Sequence, residues 1–328
     1  MRLIKRLLRL LLLSAVLLAG ALGYYATRTL TLPTLPFEFS INQGSSLKAA
    51  ARQMQQAGIS VDDVMFVWLA RVLGKTTQIK AGNYELETAP TPLELLDIMT
   101  NGRANQNEIR IIDGCTFNQL RAALNVNPVI RHDSATLSET EIMQRLGASE
   151  GQAEGLFFPD TYYFASGASD LNVLKRAYQT MQAHLQENWQ TREQGLPLES
   201  PYQALILASI VEKETGQAKD RSMIAGVFIN RLRKGMLLQT DPTVIYGLGE
   251  KYAGKLHKRD LQTDTPYNTY TRAGLTPTPI ALPGLAALQA TLHPAQTDAL
   301  YFVARGDGSS EFSGTLEQHN RAVNRYQK

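Results

Sequence analysis

SPYQALILASIVEKETG, residues 200 to 216, opens with a strong helix start and then runs almost wholly apolar before two glutamates. Ser200 is placed to cap, Pro201 to take the first helical position, and Gln203 to reach back from the third. From Ala204 to Val211 only Ser209 is polar. Successive helix residues lie ~100° apart, so Glu212 and Glu214 project to roughly opposite faces and cannot form a close carboxylate pair. Three, four and seven positions before Glu214 stand Val211, Ile210 and Leu207; the same offsets before Glu212 give Ser209, Ala208 and Leu205. Apolar packing is therefore expected to be heavier on the Glu214 side. A carboxyl on such a face is desolvated and its pKa rises, which suits a general acid acting at neutral pH. The plainer reading is a solvated or ion-paired charge at a helix end.

Working towards the C-terminus, a second helix is expected from Asp220 to Gly235, a plausible C′ residue. QTDPTVIYGLG, 239 to 249, restarts with Asp241 as cap and Pro242 at the first position. Residues 260 to 284 are rich in Thr, Pro, Gly and Tyr and read as a long ordered loop. ALYFVARGDGSSEFSG, 299 to 314, reads as a β-hairpin turning around Gly306 to Ser310, and a closing helix follows with a Thr315/Gln318 capping box. Towards the N-terminus, a helix is expected over about 170 to 192 and a shorter one over 138 to 147. EGLFFPDTYYF, 154 to 164, is aromatic-rich, with Phe157, Phe158, Tyr162 and Tyr163 read as interdomain core. FEFSINQGSSLKAAARQMQQAGI (37 to 59) and NEIRIIDGCTFNQLRAAL (107 to 124) both read strand, glycine, small residue, helix, a weak internal repeat. Between them fall an amphipathic helix near 61 to 73, a strand at AGNYEL and a helix capped by Thr91 with Pro92 and Glu94.

The chain has 328 residues, enough for about two domains, and a formal net charge of +3. Arg2, Lys5, Arg6, Arg9 and Arg28 all precede the first acid, Glu38, which leaves 28 basic against 30 acidic residues beyond Arg28. The basic excess belongs to the N-terminus, which excludes a nucleic-acid-binding face. There a basic head precedes an apolar run from Leu10 to Tyr25. This is short for a span of ~20 residues unless Arg9 snorkels and Leu7 and Leu8 join it. An uncleaved anchor with its N-terminus in the cytoplasm, or a signal peptide cut near Ala19-Gly20-Ala21, accounts for it; either way the bulk is exported. TLTLPTLP, 29 to 36, reads as an extended tether. Cys115 is the single cysteine, so no intrachain disulfide forms, and it is read as a buried structural thiol. The five histidines show no ligand spacing, so no metal or other cofactor is expected.

LASIVEKET, with VFINRLRKGMLLQTDPTVIYGLG, YNTYTRAGLTPTPIALPG, LYFVARGDGSSEFSGTLEQHN and EGLFFPDTYYF, resembles the YceG-like family, the endolytic murein transglycosylases. The resemblance runs from the anchor nearly to the C-terminus. It implies an α+β fold: a membrane anchor helix, a small LysM-like βα module, then an α+β catalytic domain with a lysozyme-like catalytic helix. The expected divisions are 1–6 cytoplasmic, 7–26 transmembrane, 27–37 linker, 38–105 LysM-like peptidoglycan-binding module, 106–150 second βα module or connector, and 151–328 catalytic domain. The implied location is the inner membrane, single-pass, with the catalytic domain periplasmic. KET takes the place of the Glu-Ser motif of lysozyme-like lytic transglycosylases, which selects Glu214, followed by Thr215, as the catalytic residue. Asparagine is expected at Leu282, proline at Thr276 and glycine at Thr278, so the chain departs from the family pattern in the loop expected to line the sugar groove.

Two-carboxylate glycosidases need a second acid at a set separation. Asp160 and Asp241 are candidates, but each sits beside a proline, where a turn or cap explains it. A lytic transglycosylase needs only one carboxyl, serving as acid and then as base. Gln239, Tyr246, Asn268 and Tyr270 are candidate substrate contacts, able to bond sugar hydroxyl and acetamido groups or stack on pyranose rings. Tyr246 reads equally as a packing residue, Asn268 as a turn residue and Asp241 first as a cap. Arg231 and Arg233 read as solvated or ion-paired. The partners implied are peptidoglycan glycan strands and the cell-wall synthesis machinery. A hydrolytic muramidase and an inactive peptidoglycan-binding scaffold are the rival readings.

Overall fold

The computed structural model describes residues 2–42, 44–101, 107–164, 167–214 and 217–327, with side chains in the first helix from Leu12 onward, Ala15 excepted. Thr215, Gly216 and the expected division at 105/106 lie outside these residues. The chain forms two compact units.

Unit 1 comprises residues 1–108 with 129–131 and 163–168. It opens with α1 (Arg2–Thr27), followed by β1 (Phe37–Ile41), α2 (Leu47–Gln56), α3 (Asp63–Val72), β2 (Gly82–Leu86) and α4 (Pro92–Thr100). β1 and β2 pair antiparallel, and the cross-strand partners Phe39 and Tyr84 stack with ring centroids 5.2 Å apart. Such a pair adds ~1 kcal/mol beyond the area it buries. Beneath them lie Met54 of α2, Phe66 of α3 and Leu95, Leu96 and Met99 of α4. Helix starts follow the caps read from sequence: Ser46 for α2, and Thr91 with Glu94 as a full capping box for α4.

The end of α1 belongs to this core. Leu12, Leu13, Val16, Leu17, Leu18 and Tyr24 are largely exposed, whereas Tyr25, Ala26 and Leu30 are buried among unit 1 residues. Tyr25 Oη donates to the Asp62 carbonyl at 3.2 Å, and the Leu30 amide donates to Pro90 at 2.9 Å. Thr31 and Ser60 exchange further bonds. The segment read as a tether is thus bound along unit 1 at its start. Among the described residues no helix is long and apolar enough to cross a membrane.

Unit 2 comprises residues 109–128, 132–162 and 169–328. β3 (Asn107–Arg110) and β4 (Thr161–Phe164) pair with each other. Unit 2 then holds α5 (Phe117–Asn125), α6 (Glu139–Leu146), α7 (Asp170–Gln190), α8 (Pro201–Glu214), α9 (Ala218–Arg233), α10 (Asp241–Leu248) and the short α11 (Lys258–Gln262). α12 (Leu285–Leu292), the antiparallel hairpin β5 (Tyr301–Ala304) and β6 (Ser310–Ser313), and α13 (Leu316–Tyr326) complete it. The repeat read from sequence has a physical counterpart: Gly44 and Gly114 both stand at φ 76°, and Ser46 and Thr116 cap the helices that follow.

α8 is the axis of unit 2. Every residue from Ala204 to Val211 is buried, on all sides. It packs against α9 and α12. The sequence assigned no element to α12, whose capping residue is Gly284, with no side chain to announce a helix start. The Glu212 carboxylate accepts the Gly284 amide at 3.0 Å and lies 3.9 Å from Arg221. Phe157 stacks on Phe117 within unit 2, centroids 5.0 Å apart.

Candidate active site

Full burial around α8 changes the argument about its two glutamates. The residues behind Glu212 are as buried as those behind Glu214, so apolar packing along the helix does not distinguish them. Their partners do. Glu212 is committed to the start of α12, whereas Glu214, at the end of α8, lines an open cleft of about 430 Å³ in unit 2.

The cleft is assembled by the turn before α10. Thr240 is the N-cap of α10, which puts Asp241 at the first helical position and Pro242 at the second, one residue later than the sequence reading had it. Thr240 makes no side-chain capping bond; its hydroxyl donates instead to Glu214 Oε1. The preceding residue, Gln239, holds a left-handed backbone at φ 49°, unusual for a residue with a side chain, and strain of this kind clusters at functional sites. Thr269 fixes this turn: its carbonyl accepts the Gln239 amide at 3.1 Å and its hydroxyl accepts the Thr240 amide at 3.1 Å. Tyr270 donates its phenol proton to Asp241 Oδ1 at 2.6 Å.

Burial pushes the Glu214 carboxyl up to about 7; the Thr240 hydroxyl opposes that rise, the Asp241 charge adds to it and the Arg231 charge reduces it. Glu214 is thus half protonated near neutrality while still touching the cleft. Burial is also the first cause of the upward shift of Tyr270, with its bond to Asp241 second.

Of the residues singled out from sequence, Glu214, Gln239 and Tyr270 meet in the cleft, and Asp241 joins them. Tyr246 and Asn268 do not line it. Tyr246 packs edge-on against Tyr267 and donates to Glu154 Oε2 at 3.1 Å. Asn268 is fully buried: its amide donates to the carbonyls of Asp260, Leu261 and Thr263, and its Oδ1 accepts the Tyr270 amide at 2.9 Å. It shapes the loop that presents Thr269 and Tyr270 and, fully buried, offers no surface to a ligand. Asp160 Oδ1 accepts the Thr161 amide, the turn role read for it.

Arg231 departs from its reading as a solvated charge. It is 7% exposed, donates to the carbonyls of Leu237, Leu238 and Leu300, and lies over the Tyr301 ring. The loop positions Thr276, Thr278 and Leu282 are buried as well and do not line the cleft. Thr278 bonds Tyr267 and needs no glycine-only backbone, while Leu282 pairs its main chain with Gly114 and Cys115. The sequence reading missed Glu154, 6% exposed and raised by burial to about 7, which also accepts the Phe117 amide. It missed His319 too, which lines the cleft from α13. No sequence signal marks either one, because each gains its surroundings from segments distant in the chain.

A family model described as the YceG-like family matches residues 39–325. An endolytic murein transglycosylase of Bacillus subtilis (strain 168) is 30% identical, over 88% of this chain and 84% of its own length. One from Streptococcus pneumoniae serotype 2 (strain D39) is 26% identical over 94% of this chain, which spans 63% of that longer relative. The crystal structure of a YceG-like protein from Listeria monocytogenes superposes with a TM-score of 0.56 at 29% identity, covering 87% of this chain and 98% of that one.

Proposed function

Because this chain belongs to the YceG-like family, we propose that it is a peptidoglycan lytic transglycosylase that cuts glycan strands internally and leaves 1,6-anhydro ends. The observation that carries the chemistry is a single carboxyl, Glu214, brought to about 7 by burial at the wall of a cleft. Protonated Glu214 gives its proton to the glycosidic oxygen that links N-acetylmuramic acid to N-acetylglucosamine, and the C1–O bond breaks. The resulting carboxylate takes the proton from the 6-hydroxyl of the same muramic acid, whose oxygen closes on C1. No water is consumed, and the carboxyl ends protonated. Thr240 steadies the anionic form between the two steps. Gln239 and Tyr270 are the substrate contacts in this reading.

We further assign α1 to the inner membrane, with the rest of the chain after it on the periplasmic side, and the βααβ part of unit 1 to a LysM-like role on glycan. The basic residues ahead of the apolar run support the first assignment. A membrane-held cutter of this kind would meet nascent strands beside the cell-wall synthesis machinery.

Asp241 in the same cleft is the observation that favours a hydrolytic muramidase, yet its carboxylate already accepts the Tyr270 proton. Mass spectrometry of digested glycan separates the two: anhydro ends are lighter than reducing ends by one water. Wild type should give anhydro ends and Glu214→Gln should give none. Cleavage by the variant at the wild-type rate would remove Glu214 from the mechanism. Binding of glycan without cleavage by either protein would leave a scaffold.

A further inference from the structure

α3 is apolar on both sides. Of the residues Asp63–Val72 only Asp63 and Arg71 carry charge, and the rest are apolar. Phe66, Leu69 and Ala70 are buried in the unit 1 core. Val64, Trp68 and Val72, spaced one helical turn apart, are each more than half exposed, and Leu73 continues the stripe past the helix end. A helix with apolar residues on every side is normally enclosed. Most of the large apolar side chains exposed among the described residues lie on this stripe or on α1.

The two helices meet. α1 packs on α3, and Tyr25 Oη donates to the carbonyl of Asp62, the cap of α3, at 3.2 Å. Tyr24 beside it is exposed, and an aromatic at the end of an apolar run marks the level of the lipid headgroups. α1 reaches that level short. With Arg9 snorkelling, the apolar run starts at Leu7, and α1 meets the unit 1 core at Leu22. The stretch from Leu7 to Ala21 extends ~22 Å at ~1.5 Å per residue, about 8 Å less than the ~30 Å of bilayer hydrocarbon.

We propose that the Val64, Trp68, Val72 and Leu73 face of α3 docks on the outer leaflet of the membrane that holds α1. This rests on the assignment of α1 to that membrane. A helix lying in the interface buries its apolar face ~5–10 Å into the boundary between headgroups and acyl chains, a depth that matches the shortfall of α1. Trp68 suits that boundary. The Arg71 guanidinium, 5.6 Å from the Trp68 ring, is exposed and fits lipid phosphate. Glycan is the poorer occupant. A sugar stacked on an aromatic ring needs hydrogen-bonding groups around it, and here Trp68 stands among aliphatic side chains with Arg71 alone to bond. The other faces of the βααβ fold stay free for glycan.

The test uses the full chain reconstituted into vesicles of phosphatidylethanolamine and phosphatidylglycerol, part of the lipid carrying bromine on its acyl chains. Emission of wild type minus that of Trp68→Phe isolates Trp68, because Trp189 is the other tryptophan. Trp68 is exposed, so phenylalanine there leaves the fold intact. Bromine near the headgroup end of the chains should quench Trp68 strongly, and bromine near their methyl ends weakly. Val64→Asp combined with Val72→Asp, both on the exposed stripe, should lose most of that quenching while the protein still floats with the vesicles through α1. Trp68 emission that bromine leaves unchanged in floating protein overturns the proposal and leaves the anchor standing. Protein that fails to float defeats the membrane assignment of α1, and this proposal with it. Two further results overturn it without quenching: a shift of Trp68 emission on adding purified glycan strands in detergent gives the stripe to glycan, and a shift that follows protein concentration gives it to a second copy of the chain.

Discussion

Replacing Glu214 with glutamine should make unit 2 more stable in alkaline solution while leaving it little changed in acid. Burial moves this carboxyl from an ordinary 4.5 to about 7. At ~1.36 kcal/mol per pH unit, that interval comes to ~3 kcal/mol. The folded-state value lies above the unfolded one, so the stabilisation is complete below about 4.5 and is lost as the pH rises through about 7. Glutamine does not titrate and escapes the loss, and its carbonyl can still accept from Thr240. Solvent at the cleft mouth reduces the figure, so a gain of ~2–3 kcal/mol is expected. Glu154, also near 7, titrates in both proteins and cancels from the difference. Urea unfolding at pH 4.5 and 8.5, followed by fluorescence in a Trp68→Phe background, reads unit 2 alone, because the other tryptophan, Trp189, packs against its core. The stability difference between Glu214→Gln and wild type should grow by ~2–3 kcal/mol between the two pH values. A difference that stays constant would mean that Glu214 ionises like a solvated carboxylate, and the case for an acid poised at neutrality would fall with it.

The same protonation sets the rate: kcat/KM for glycan cleavage should decline as the pH rises through about 7, since only protonated Glu214 can give up a proton. Thr240→Val removes the donor that favours the anion, and should move that decline to higher pH by up to ~1 unit in a pH–rate profile. Arg231→Leu leaves the carbonyls of Leu237, Leu238 and Leu300 without their donor, and should cost ~3 kcal/mol in denaturant unfolding. Gln239→Gly relieves a left-handed backbone and should raise the melting temperature, by the equivalent of ~1 kcal/mol, while weakening glycan binding; Gln239→Val should lower it.

Residues with locally determined roles are legible in the sequence. Thr91 with Glu94, Thr315 with Gln318 and the Gly306-to-Ser310 turn all act through bonds to near neighbours, so a few letters of sequence specify them. The apolar pattern along α8 does not by itself distinguish Glu214 from Glu212. The helix is equally buried behind both glutamates, and what separates them is Thr240, 26 positions on, against Gly284, 72 positions on. Asn268 looked like a ligand contact because an asparagine in a loop advertises free amide groups; only the folded loop reveals the three carbonyls that use them. Arg231 looked solvated because its charge is visible in sequence and its carbonyl partners are not. α12 carries no start signal because its cap, Gly284, has no side chain, and the acceptor of the Gly284 amide, Glu212, lies on another helix. In each case the missing information is a partner supplied by tertiary structure, which periodicity along one segment does not encode.

The last turn of α1 sits inside the unit 1 core, with Tyr25 and Leu30 buried and the main chain after it bonded to Pro90 and Ser60. That joint has no swivel. Any body that grips the exposed stretch of α1 grips the βααβ fold too, so the two must reorient together. Gly or Ser residues introduced at 28 to 31 would loosen the coupling without touching the cutting chemistry.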